Sequence, residues 1–175
     1  MACLMNENRK IHVIGSVGSG KTTLARKLSA QLGIPHYELD NVVWERGPHG
    51  DKRRTEKERD ALLQEIISSD SWIIEGVHHT WIMESLRQAD QIILLDPPNR
   101  QRIYRIIKRF IKQKLHMEKA NYKPTLEMFR KMFRWNRYFE TVSKPQIMEL
   151  LKPFEEKLYV LEDDKKMHEI MEVLV

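Results

Sequence analysis

One cysteine, Cys3, is all this chain contains, so no internal disulfide can form and nothing points to an oxidising compartment. No apolar run approaches the ~20 residues needed to cross a bilayer. The opening stretch, MACLMNENRKIHVIG, lacks a secretory layout, because its apolar part leads straight into a glycine-rich loop. These absences predict a cytoplasmic protein with no membrane partner. At 175 residues, 41% of them apolar, the chain is long enough for one domain with a full core and too short for two. No internal repeat or low-complexity tract is present.

Acidic charge is scarce in one place. Between residues 100 and 140, thirteen Lys and Arg side chains face only Glu118, Glu127 and Glu140, a local excess of +10 in a chain whose net charge is +5. The remainder is therefore mildly acidic, and the basic segment calls for an anionic partner.

Hydrophobic patterning predicts strands alternating with helices. Residues 10–15 read as a buried strand, 36–40 as a short second strand ending in Asp40, 71–76 as a third with Glu75 near its end, 91–96 as a fourth, and 157–161 as a fifth. Leu24, Leu28 and Leu32 mark a helix that Gly33 stops, and 45–54 read as loop. Thr55 and Glu58 make a capping box for a helix to about residue 69. Thr80 is placed to cap a short helix. Ile103, Ile106, Ile107, Phe110 and Ile111 form an apolar helical stripe, with Arg102, Arg105 and Arg109 opposite it. Residues 116–124 read as loop and 125–141 as helix. Ser143 with Gln146 suggests a second capping box, with Pro145 near the helix start. Alternation of this kind implies a parallel sheet covered on both faces, with ligands beyond the carboxyl ends of its strands.

The stretch Gly15-Ser16-Val17-Gly18-Ser19-Gly20-Lys21-Thr22 fits G-x-x-x-x-G-K-[ST], with a predicted strand before it and a helix after it. Glycines allow successive backbone N–H groups to turn inward as an anion nest, and the helix that follows adds its positive end. Lys21 then reaches the β- and γ-phosphates of a nucleotide, and Thr22 ligates Mg²⁺; Gly15, Ser16, Gly18, Ser19, Gly20 and Thr23 complete the phosphate-binding set. No N-K-x-D guanine motif is present, which directs the reading to ATP and, at this size, to a small phosphotransferase.

The run GSGKTTLARKLSAQLGIPHYELDNVVW, then WIIEGVHH, then QIILLDPP followed by an arginine-rich helix, resembles the adenylate kinase and shikimate kinase group of P-loop kinases. It resembles most closely the bacterial DNA topology modulation proteins of the FlaR type. The resemblance implies a P-loop NTPase α/β fold: three α/β/α layers, a five-stranded parallel sheet in the order 2-3-1-4-5, a short acceptor-binding insert over about 41–71 and a helical lid over about 100–140, all in one domain spanning 1–175. It also implies that Asp40 contacts the acceptor hydroxyl or the metal shell, and that Glu75 stands near the metal. Arg105, Arg109, Arg134 and Arg137 are the lid arginines such kinases turn on the migrating phosphoryl group. The adenylate kinase continuation G-F-P-R is absent, replaced by Gly76, Val77, His78 and His79, so an arginine that would hold an acceptor phosphate is missing.

The sequence therefore predicts an ATP- and Mg²⁺-dependent kinase, monomer or homodimer, acting on an unidentified small molecule or nucleotide. The alternative is a nucleotide-dependent DNA-associated regulator that binds nucleic acid through the basic segment. Adjacent His78 and His79 lack metal-ligand spacing. Trp44, Trp72, Trp81 and Trp135 read as core or lid packing.

Overall fold

A computed structural model describes residues 9–48, 50–115, 117 and 125–174. Cys3 and the charged residues Glu118, Lys119 and Lys123 lie outside the described residues, as does the expected loop over 116–124 apart from Met117.

The chain forms β1 (Lys10–Gly15), α1 (Lys21–Leu32), β2 (His36–Glu38), α2 (Leu39–Val43), β3 (Trp44–Glu45), β4 (Lys52–Arg53), α3 (Glu56–Ile67), β5 (Trp72–Gly76), α4 (Met83–Gln88), β6 (Gln91–Leu95), α5 (Asn99–Lys114), α6 (Leu126–Tyr138), α7 (Lys144–Leu151), β7 (Leu158–Leu161) and α8 (Asp164–Leu174). Five strands make a parallel sheet in the order β2-β5-β1-β6-β7. Counting sheet strands alone, this is the expected 2-3-1-4-5.

Strand alternation explains the two layers of core. Ile11, Val13, Ile73, Ile93 and Leu95 face one way, onto Leu24 and Leu28 of α1 and Ile170 and Leu174 of α8. Their neighbours Ile14, Trp72, Ile74, Ile92 and Leu94 face the other, onto Leu63 and Ile67 of α3, Leu86 of α4 and Ile147 and Leu151 of α7. Both faces of every central strand are buried, so these strands read as continuous apolar runs.

The exception is His12, fully buried in mid-strand, edge-on to the Trp72 ring at 6.4 Å, with no hydrogen-bond partner for either ring nitrogen among the described residues. Burial alone pushes its pKa down from 6.5 to about 3. The folded chain therefore holds His12 neutral while the unfolded chain protonates it below pH 6.5, and stability falls as pH drops through that window. Between pH 7 and pH 5 this group should cost about 2 kcal/mol, at about 1.4 kcal/mol per pH unit. Urea unfolding at the two pH values should show the loss in wild type and not in His12→Leu; an equal slope in both would assign it to other groups.

Several local expectations change. Asp40 sits in the first turn of α2, because β2 ends at Glu38. The 45–54 loop contains a small hairpin, Trp44–Glu45 against Lys52–Arg53. The Thr55–Glu58 capping box forms as read, with Glu58 accepting from the Thr55 N–H at 2.8 Å. Thr80 does not cap α4; Ile82 occupies that position without a side-chain bond. Ser143 is helical and caps nothing, since α6 runs through a π-helical stretch, Phe139–Ser143, directly into α7. Pro145 has no N–H for the carbonyl of Thr141, and the helix widens immediately before it.

Candidate active site

The phosphate loop leaves the end of β1, and its backbone demands glycine. Gly18 and Gly20 have φ of 74° and 99°, a region where an L side chain is strained. A Cβ on Gly15 would lie 2.5 Å from Ser19 Oγ, and one on Gly18 would lie 2.9 Å from the Arg102 carbonyl oxygen. Ser16 and Ser19 are buried inside the turn, which the Ser19 N–H closes onto Ser16 O at 3.2 Å. Ser19 Oγ finds no hydrogen-bond partner among the described residues. The loop delivers Lys21 and Thr22 into the first turn of α1, which carries no side-chain cap and so presents its N–H groups to an anion.

Both residues converge on Glu75. In β5, register places Glu75 beside Val13 of β1, and its carboxylate is almost wholly buried. Thr22 Oγ1 donates to Glu75 Oε1 at 2.5 Å, and Lys21 Nζ lies 3.7 Å from Oε2. Hydroxyl and carboxylate oxygens are the hard donors Mg²⁺ takes, and a pair already in contact fits a site completed by water and phosphate.

Asp40 stands in the first turn of α2, just past the end of the neighbouring strand β2. Its exposed carboxylate lies 3.4 Å from His78 Nε2. That hydrogen bond, then the charges of Lys21, His78 and Arg46, hold its pKa below the usual carboxylate range, against the opposing effect of the protein groups that displace part of its water. His78 packs on Trp81 at 5.4 Å, and the Arg59 guanidinium covers the same indole at 4.5 Å. His79 Nε2 meets Gln146 Oε1 at 2.9 Å, tying this wall to α7.

Of the four arginines expected to serve a lid, Arg105 reaches the phosphate loop. Its guanidinium donates to Ser19 O at 2.8 Å and to Asp164 Oδ1 at 2.6 Å. Arg109, one turn on, and Arg134 and Arg137 of α6 are exposed. Thr23 is exposed on α1.

Arg102 requires a correction. It is 1% exposed rather than turned to solvent, and the side of the helix opposite it is the exposed one. Its guanidinium donates to Asn136 Oδ1 at 2.9 Å, to Asp96 Oδ1 at 3.4 Å and to Glu140 Oε1, and it lies over the Phe139 ring. Asp96 also takes Lys144 Nζ at 2.6 Å, and Asn136 links Ser16 Oγ at 3.5 Å to Asn99 at 2.6 Å. One polar cluster thus ties α6 and the π segment to the phosphate loop. Ile107 and Ile111, expected in the core, are exposed instead. The signal for Arg102 was present: four residues before Ile106, it lies on the buried side of the helix.

Residues 11–123, well over half of the chain, match the AAA domain family. The chain is 28% identical over 98 residues to the uncharacterized protein YqaC of Bacillus subtilis, covering 56% of this chain and 54% of that protein. It is 33% identical over 72 residues to the shikimate kinase of Actinobacillus succinogenes, covering 34% of this chain and 41% of that enzyme. It spans about half, or less, of the length of these curated relatives. The solved shikimate kinase from Acinetobacter baumannii in complex with shikimate superposes with a TM-score of 0.59 at 18% identity, over 96% of this chain and 94% of that one. That likeness establishes a shared fold. The chain belongs to the AAA domain family.

Proposed function

We propose that this AAA-domain chain is an ATP-dependent phosphotransferase acting on a small hydroxyl-bearing acceptor. The observation that carries the reading is the convergence of Lys21 and Thr22 on buried Glu75, with the charge of Asp40, in the first turn of α2, acting on the same lysine. Phosphoryl transfer needs positioning and charge stabilisation more than covalent chemistry, and this set supplies both. The loop N–H groups and Lys21 hold the β- and γ-phosphates. Thr22, with Glu75 and Asp40 around it, would hold Mg²⁺, which neutralises phosphate charge when bound. Asp40, ionised and steadied by His78, accepts the hydrogen bond of the acceptor hydroxyl and aims its oxygen at the γ-phosphorus. Arg105 lies against the loop carbonyls, and Arg109, Arg134 and Arg137 belong to the lid in this reading.

The whole chain acts as one kinase domain, with the acceptor gripped by the 41–71 insert and the lid formed from 100–140. The likeness to shikimate kinases supports a small-molecule acceptor, and the Leu39-Asp40 to Trp44 and Trp72–Gly76 elements support kinship with the FlaR-type proteins. ADP release measured across a panel of small hydroxylated metabolites and nucleoside monophosphates identifies the acceptor. With the best of them, Asp40→Asn should lower turnover by about 10²-fold while ATP affinity changes little. Unchanged turnover would reduce Asp40 to a structural role, and ADP release indifferent to every acceptor would remove the kinase reading.

A further inference from the structure

Helix α5 is inside out. Its buried side carries Arg102, Ile106 and Gln113, two of them polar. Its opposite side carries Tyr104, Ile111 and Leu115, at 60%, 51% and 63% exposure, and Ile107 and Met117 extend the apolar strip. Residues 104, 111 and 115 recur at i, i+7 and i+11, so they stand in line on the outer face. Exposed Arg100, Lys108, Lys112 and Lys114 flank that strip, and α5 contains seven basic residues and no acidic one. Isolated exposed apolar residues are ordinary, but a continuous strip bordered by one sign of charge marks a contact surface.

Charge and shape together choose the occupant. A second copy of the chain, meeting this face symmetrically, would set its flanking cations, Arg100, Lys108, Lys112 and Lys114, against the same four. A nucleic acid would satisfy the cations and leave the isoleucines and leucine against a hydrated backbone. An anionic bilayer takes both: aliphatic side chains enter the acyl boundary, Tyr104 sits at headgroup level, and lysine stems lie along the apolar surface with their ammonium groups on lipid phosphate. We propose that the outer face of α5 docks this protein on the surface of an anionic lipid bilayer. Among the described residues no helix is long and apolar enough to cross a membrane, so the helix lies on the surface rather than spanning it. A helix lying on the surface needs no spanning run, so the expectation of no membrane partner does not extend to it. Arg105 contacts the phosphate loop from another side of α5, so docking and that contact are compatible.

The test is flotation of the full chain with vesicles of phosphatidylcholine alone and of phosphatidylcholine containing phosphatidylserine. Binding to the anionic vesicles should be at least about tenfold tighter and should weaken with salt. Ile111→Ser combined with Leu115→Ser should lose about tenfold of that affinity while the circular dichroism and the melting temperature stay as in wild type, since both side chains are exposed. No vesicle binding, or equal binding by the double variant, overturns the proposal. Oligonucleotide binding indifferent to the serines, without vesicle binding, would assign the basic face to nucleic acid. A concentration-dependent dimer abolished by the serines would assign it to a second copy. Nucleotide binding measured alongside keeps this outcome separate from the kinase reading.

Discussion

Lys21→Ala is expected to lower ATP turnover by about 10³-fold or more and to weaken ATP binding, with the fold intact. Removing one preorganised donor from a transition-state anion costs about 10²–10³-fold, and Lys21 brings a full charge to phosphates that gain charge as the bond breaks. The substitution is safe for folding: Lys21 is partly exposed at the first turn of α1, and its ion pair with Glu75 is a loose 3.7 Å contact. Glu75 keeps its hydrogen bond from Thr22. Stopped-flow or coupled-assay turnover, together with calorimetric ATP titration, measures both effects. Phosphotransfer at the wild-type rate in this variant would remove the loop from the chemistry, and with it the proposed function.

Arg102→Ala should be the most destabilising single substitution in the α5–α6 region, costing about 3–5 kcal/mol. Taking one partner from a buried charged cluster leaves the others uncompensated, and that, rather than the worth of the pair, sets the cost. Glu140 loses its guanidinium donor, Asn136 keeps only the 3.5 Å contact from Ser16 Oγ on its carbonyl oxygen, Phe139 loses its cation, and Asp96 retains Lys144. For a chain of this size each kcal/mol moves the melting temperature by about 2–4 °C, so a fall of roughly 10 °C is expected. Arg134→Ala, at an exposed site on α6, should leave the midpoint in place. Because Asn136 reaches Ser16, Arg102→Ala should also weaken nucleotide binding below the new midpoint. A stability loss within the range of an exposed arginine would show that the cluster is not holding α6 to the loop.

These two residues mark the boundary of what could be read in advance. Lys21 belongs to a motif whose parts are adjacent in the chain, so spacing alone identifies it. Arg102 belongs to a cluster whose members, Asp96, Asn136, Glu140 and Lys144, are scattered over 49 residues. Composition says only that this region is basic. Helical phase could have placed Arg102 inward, yet its charge argued for the solvent side, and only the carboxylates that meet it reverse that argument. The exposed Ile107 and Ile111 failed for the complementary reason: the i, i+3, i+4 pattern shows an apolar stripe without saying what covers it.

By itself, the sequence determined the alternation of strands and helices, the phosphate loop, the placing of Glu75 near a strand end, and the Thr55–Glu58 cap. Each rests on local periodicity, or on residue types within a few positions of one another, where backbone geometry alone constrains the answer. Tertiary structure decided the rest. Parallel register carried Glu75 to Lys21 and Thr22, 53 residues away for the threonine. The β5–α4 connection brought His78 to Asp40. Packing of α6 against α5 turned Arg102 inward and left an apolar strip facing out. Such contacts depend on which distant groups share a low-dielectric space, and a charge or an isoleucine carries no mark in sequence of the partner it will meet there.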